Sequence, residues 1–188
     1  MFAANKLSPE TGRLLVAEPF LSNGHFRRSV ILLAEHGETG TVGFMLNKPL
    51  DIQVADIIPE FPEFDEFALS GGPVQRDQLY YIHTVGEKIE GSIEIGSGLW
   101  WQGNFEHVKE LISLKQISRD EIRFFVGYAG WEAGQLQDEL EEKSWFVARA
   151  DKELIFMRDA DAMWQEAVRR MGKRFAPMAN FPENPSMN

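Results

Sequence analysis

The stretch from Gly12 to Pro49 reads GRLLVAEPFLSNGHFRRSVILLAEHGETGTVGFMLNKP, and it decides how the rest of the chain is read. Residues 12–17 and 29–34 are short apolar runs, separated by the loop punctuation of Pro19, Ser22, Asn23 and Gly24. The second run meets Gly37-Glu38-Thr39-Gly40 and returns as residues 41–46, the pattern of a tight β-hairpin. Both arms are almost continuously apolar: Val30, Ile31, Leu32 and Leu33 on one, Val42, Phe44, Met45 and Leu46 on the other. Half-buried strands alternate. Continuous apolar arms predict strands covered on both faces, with the hairpin at the centre of the fold.

Charge is sparse here. Between Leu14 and Gln75 the only Lys or Arg residues are Arg27, Arg28 and Lys48. Antiparallel arms bring Arg28 and Lys48 to the same end of the hairpin. Cations gathered there form either a local anion site or ordinary surface pairs with Glu18, Asp51 or Asp56. The candidate ligand site is therefore composite. The hairpin contributes Arg28, His36, Asn47 and Lys48, and two glycine-rich turns contribute Gly71 and Gly72, then Gly127, Tyr128, Gly130 and Trp131. Asn47 offers a donor and an acceptor, Lys48 a point charge, and the glycines close backbone approach.

Further along, residues 50–58 read as a short helix ended by Pro59. PEFPEFDEF, residues 59–67, sets Phe61, Phe64 and Phe67 among acids, the pattern of a loop tucking its rings onto the core. Strands are predicted at 67–69, 78–84, 92–95, 99–102 and 122–126, and Asn104 caps a helix carrying Phe105, Val108, Leu111 and Ile112. The segment from Gly127 to Gly134 reads as a glycine-rich turn leading into a helix at 135–142, an arrangement able to hold an anion on backbone N–H groups. A last strand pair is predicted at 145–150 and 154–157, followed by a helix capped by Asp159 or Asp161 and stopped by Gly172. The domain reading is one unit over residues 1–172 and a flexible C-terminal tail over 173–188.

The 188 residues carry a formal net charge of −10, with 44% apolar and 26% charged residues and no cysteine. Disulfides and thiolate chemistry are excluded, and a cytoplasmic location is expected. No apolar run reaches the ~20 residues of a membrane-spanning helix. The acidic balance disfavours nucleic acid as a partner, since that affinity rests on phosphate neutralisation by Lys and Arg. The four histidines, His25, His36, His83 and His107, show no metal-binding spacing, and Ser29 and Ser70 lack the G-x-S-x-G elbow. No catalytic residue, metal or cofactor is expected. The partner is either another protein or a small anionic ligand.

Several motifs carry a resemblance: LLVAEPFL, FRRSVILLAEH and GFMLNKP, then Ser70-Gly71-Gly72-Pro73-Val74, and Gly127-Tyr128-Ala129-Gly130-Trp131 followed by Gly134-Gln135-Leu136. In this order, from about Gly12 to about Trp164, the chain resembles the AlgH/YqgE family of small bacterial proteins. Pattern alone predicts an α+β domain with mainly antiparallel strands. The resemblance adds a bifurcated sheet partly closed into a small barrel with helices outside. It also implies a non-catalytic regulatory or binding protein, under the family's transcriptional-regulator label. The rival readings are a small-anion or nucleotide-binding protein or an enzyme acting on a phosphate-bearing substrate, with the hairpin cations as clamps, and direct nucleic-acid binding.

Overall fold

The computed structural model describes residues 7–183. The hairpin lies at its centre: β2 (Val30–Gly37) and β3 (Gly40–Met45) turn through Glu38-Thr39, with Gly37 facing Gly40. β1 (Arg13–Ala17) pairs antiparallel with β2, and β10 (Trp145–Arg149) closes that side as a further antiparallel strand. On the other side β3 pairs with the long β9 (Ile122–Glu132). Beyond β9 the path continues through β6 (Val74–His83) and β8 (Leu99–Trp101) to β7 (Ile93–Gly96). A branch leaves at β9, where β5 (Phe67–Ser70) pairs parallel with it and β4 (Pro49–Gln53) pairs with β5.

Both faces of the central strands are covered, as the continuous apolar arms require. Leu14, Val30, Leu32 and Phe44 share one buried cluster with Met163, Trp164 and Val168 of α5 (Ala160–Arg170). Leu15, Ile31, Leu33 and Met45 point the other way and meet Leu136 of α3 (Gln135–Glu141). A third cluster sets Val54 of α1 (Val54–Ile57) and Val108 and Ile112 of α2 (Phe105–Ser113) against Tyr81, Ile122 and Phe124. The caps hold as expected. Asn104 accepts from the Glu106 and His107 amides, and Asp159 accepts from the Ala162 amide.

The fold is α+β with a large, mainly antiparallel sheet, but the expected partial closure into a barrel does not occur. β10 and β7 end the path and do not pair with each other. α5 covers the face instead, sharing one cluster with Leu14 of β1 and Ile95 of β7, so apolar surface is buried by a helix rather than by a closed sheet edge.

Three local expectations also change. Residues 50–58 split into β4 and the single turn α1. Leu154 and Ile155 belong to the helical turn α4 (Lys152–Ile155), capped by Asp151, rather than to a strand. Four apolar residues fit either period, and the cap settles which. The segment from Gly127 to Glu132 is not a turn: β9 runs straight through it, and the left-handed Gly134 begins α3. From Ala129 to Glu132 it pairs with β3, and Tyr128 faces Val74 of β6, so the stretch is strand rather than a glycine-rich turn.

The segment read as a tail packs on the body as far as it is described. Ala176–Asn180 form a 3-10 turn, with Met178 and Ala179 buried, and Phe181 stacks on Phe20. Residues 184–188 lie outside the described part.

Candidate functional site

The open end of the hairpin holds three of the sequence-derived residues together. Asn47 accepts from the Val30 amide at 3.0 Å and donates to the Arg28 carbonyl at 2.8 Å, lacing the two arms. Lys48 Nζ donates to the Arg27 carbonyl at 2.7 Å. Burial pushes the Lys48 ammonium below its usual range, against the opposing pull of Glu183 and Asp161. Arg28, in the left-handed region at φ 49°, lays its guanidinium 4.6 Å from the Trp164 ring centroid and donates to the Phe181 carbonyl. These groups tie the hairpin to α5 and to the C-terminal segment.

The other members sit elsewhere. His36 lies at the tip, roughly 20 Å along the strand from Val30, and its Nδ1 meets Thr41 Oγ1 at 2.7 Å. Gly130 and Trp131 pair with Val42 and Thr41 near that tip, and with Tyr128 they line a cleft of about 560 Å³. Trp131 Nε1 and Trp145 Nε1 both donate to Glu139 Oε2, at 2.9 and 2.7 Å. Gly71, Gly72 and Gly127 mark a backbone crossing. A Cβ on Gly71 would come within 2.1 Å of the Gly127 carbonyl oxygen, and one on Gly72 within 2.1 Å of Tyr128. The composite set thus divides among hairpin end, crossing and hairpin tip.

A different group converges beside the open end. Glu66 is only 4% exposed and accepts from Arg158 NH1 at 2.7 and 2.6 Å and from Arg119 Nε at 3.2 Å. Arg119 also reaches Asp65 at 2.8 Å, and Arg158 reaches Asp120 at 3.3 Å. Arg123, also 4% exposed, sits on β9 and shares the face of Phe125. It donates to the Leu46 carbonyl at 3.2 Å and to the Met157 carbonyl, while its Nε has no partner.

Arg119, Arg123, Arg158 and Glu66 line a cavity of about 540 Å³, which also reaches Ala160, the first residue of α5. Burial first, and then repulsion from Arg158, push the Arg123 guanidinium down to about 10, against the weaker pull of Glu66 and Asp120. This buried cation makes no carboxylate pair among the described residues. A guanidinium fork beside a helix N-terminus can take a carboxylate, phosphate or sulfate group.

Sequence reasoning passed over this group, although one signal was present. Arg123 interrupts the otherwise apolar run Ile122, Phe124, Phe125, Val126, and a cation inside a buried strand must be answered by something. Among the described residues, no three or more His, Cys, Asp and Glu side chains gather as a metal site, and no helix is long and apolar enough to cross a membrane.

A family model described as AlgH-like matches residues 14–176. A UPF0301 protein of Chlorobaculum tepidum is 45% identical over 177 residues, covering 94% of this chain and 95% of that one. A UPF0301 protein of Bacteroides fragilis is 38% identical over 186 residues, covering 98% and 94%. Among solved structures, a Corynebacterium diphtheriae protein matches with a TM-score of 0.82 at 26% identity, covering 96% of this chain and 100% of its own. The solution structure of the AlgH protein from Pseudomonas aeruginosa matches with a TM-score of 0.74 at 26% identity, covering 95% and 98%.

Proposed function

This chain belongs to the AlgH-like family, and from that premise we propose that it is a cytoplasmic, non-catalytic binding protein whose ligand is a small anion held between Arg119, Arg123 and Arg158. One observation carries the reading: the buried Arg123 lines the cavity with no carboxylate pair among the described residues, and the largest charge effect upon it is repulsion from a second arginine. Taking a guanidinium out of water without a counter-ion costs several kcal/mol, and a bound anion returns part of that cost.

The chemistry favours binding over turnover. Among the described residues no Ser, Thr, Cys, His or Lys side chain lines the cavity, which leaves it without a nucleophile or a near-neutral acid or base from them. The carboxylates among them are Glu66, already held by two arginines, and Asp51. Ligand occupancy read out through a protein partner fits the family's regulatory label better than contact with DNA, because the chain's net charge is −10.

Thermal melting in phosphate, sulfate and benzoate, matched for ionic strength against chloride, tests this. Wild type melts higher in at least one of these anions, and saturation at 100-fold over Kd is worth about 2.7 kcal/mol. The Arg158→Met, Glu66→Gln double variant, which removes the ion pair without stranding either partner, loses that response. Equal melting in every salt, or a response retained in the double variant, contradicts the site.

A further inference from the structure

We propose that the occupant of this cavity is an aromatic monoanion, an acid group carried on a flat apolar ring, rather than a bare inorganic anion or a polyphosphate. The inference rests on the anion-site reading and adds the rest of the ligand to it. About 540 Å³ is far more room than an acid group fills, and it lies in the range of sites that enclose a small organic molecule.

Much of the remaining lining is apolar. Pro49, Leu50, Phe67 and Leu69 supply it, from the β4–β5 branch. The β4–β5 register breaks between Pro49 and Gln53, which takes Leu50 out of the regular ladder. Phe67 is the informative residue. In the repeated PEFPEFDEF segment, Phe61 stacks on Phe105 and meets Phe124 edge-on, and Phe64 meets Phe124 likewise. Phe67 makes no ring contact among the described residues and stays 43% exposed, directly after the arginine-bound Glu66. Two of the three rings complete the core, and the third is left beside a cluster of guanidiniums. A ligand ring placed on Phe67, with its acid group toward Arg123, covers the exposed apolar surface and answers the buried cation together.

Charge limits the occupant further. Asp51 and Glu66 share the cavity with the arginines, and Asp65 and Asp120 stand on the same arginines from outside. Within the lining, three arginines against two carboxylates leave one positive charge over, so at most a single negative charge is matched there. A di- or triphosphate would carry its remaining charges against these carboxylates.

Calorimetric titration of wild type with 2-naphthoate, benzoate, acetate, inorganic phosphate and ATP, repeated with Phe67→Ala and Phe67→Tyr, tests the inference. The aromatic acids bind at least tenfold tighter than acetate or phosphate, Phe67→Ala closes that gap, and Phe67→Tyr restores it. Acetate or phosphate binding as tightly as benzoate, or ATP binding tightest, overturns the aromatic ligand while leaving an anion site in place. Binding of none of the five overturns both readings. An aromatic preference that survives Phe67→Ala overturns the assigned wall.

Discussion

The sheet face under α3 and the open end of the β2–β3 hairpin treat buried polar groups in opposite ways. Under α3 they are answered within the fold: Glu139 takes the N–H of both Trp131 and Trp145. At the open end some cationic groups are left unmet. Among the described residues Arg28 and Arg123 each keep a buried Nε with no partner, and Lys48 is held in a setting that disfavours its charge. A structural polar network closes upon itself, because each unmet group costs stability. A site prepared for a ligand leaves groups open. The open end has the second character and the face under α3 the first, although both border cavities of similar size.

The largest expected effect breaks the ion pair beside the open end. Arg158→Ala leaves Glu66 buried with the single, longer Arg119 contact, and should cost about 3 kcal/mol, the low end for a broken buried pair because Arg158 is itself partly exposed. Urea unfolding measures this, and the paired Arg158→Met, Glu66→Gln change should recover part of the loss.

Under α3, Glu139→Ala strands two buried indole N–H groups and should cost about 2 kcal/mol. It should leave the response to anions untouched. Loss of that response would mean the two regions are not separate, and the comparison would fail.

A third effect comes from a group in neither region. His83 is fully buried, donates through Nε2 to the Gln102 carbonyl at 3.0 Å, and leaves Nδ1 unbonded. Burial lowers its affinity for a proton, only partly offset by that hydrogen bond. Above pH 6.5 the ring is neutral in the folded and unfolded chain alike, and this stability term is complete. As pH falls below 6.5 the unfolded chain takes up the proton first, so stability is lost down to the folded-state value, by at most about 1.4 kcal/mol per pH unit. Urea midpoints between pH 7 and 5 measure the slope, and His83→Gln should flatten it. An unchanged slope would show that His83 opens to water.

The smallest effect is on stability at the apolar wall. Phe67→Ala, at a 43% exposed position, should change unfolding free energy by less than about 0.5 kcal/mol. A larger cost would recast Phe67 as a core residue and remove its availability to a ligand.

The hairpin frame was legible in the sequence, the contrast was not, and the limits are physical. The hairpin could be read because its period, its turn glycines and its apolar arms all agree. The gathering of Arg28, Asn47 and Lys48 followed from antiparallel geometry alone. The arginine cavity could not be read in the same way. Glu66 lies 53 positions from Arg119 and 92 from Arg158, so only the branch at β9 brings them together. Arg123 was visible as a misfit in an apolar strand, yet its partners were not. The glycines of β9 misled for a related reason. Gly127 at φ 71° suits a turn, but here it serves a strand whose neighbour β6 bulges, with Val74 facing Tyr128 and Leu79 facing Val126.

The central claim is that the buried Arg123 awaits an anion, and amide-shift mapping during titration with benzoate, against chloride at equal ionic strength, tests it most directly. Saturable shifts confined to the start of β9, the Glu66–Phe67 segment and the first turn of α5 are predicted. Shifts gathered at the hairpin tip instead, or none beyond those chloride causes, would contradict it.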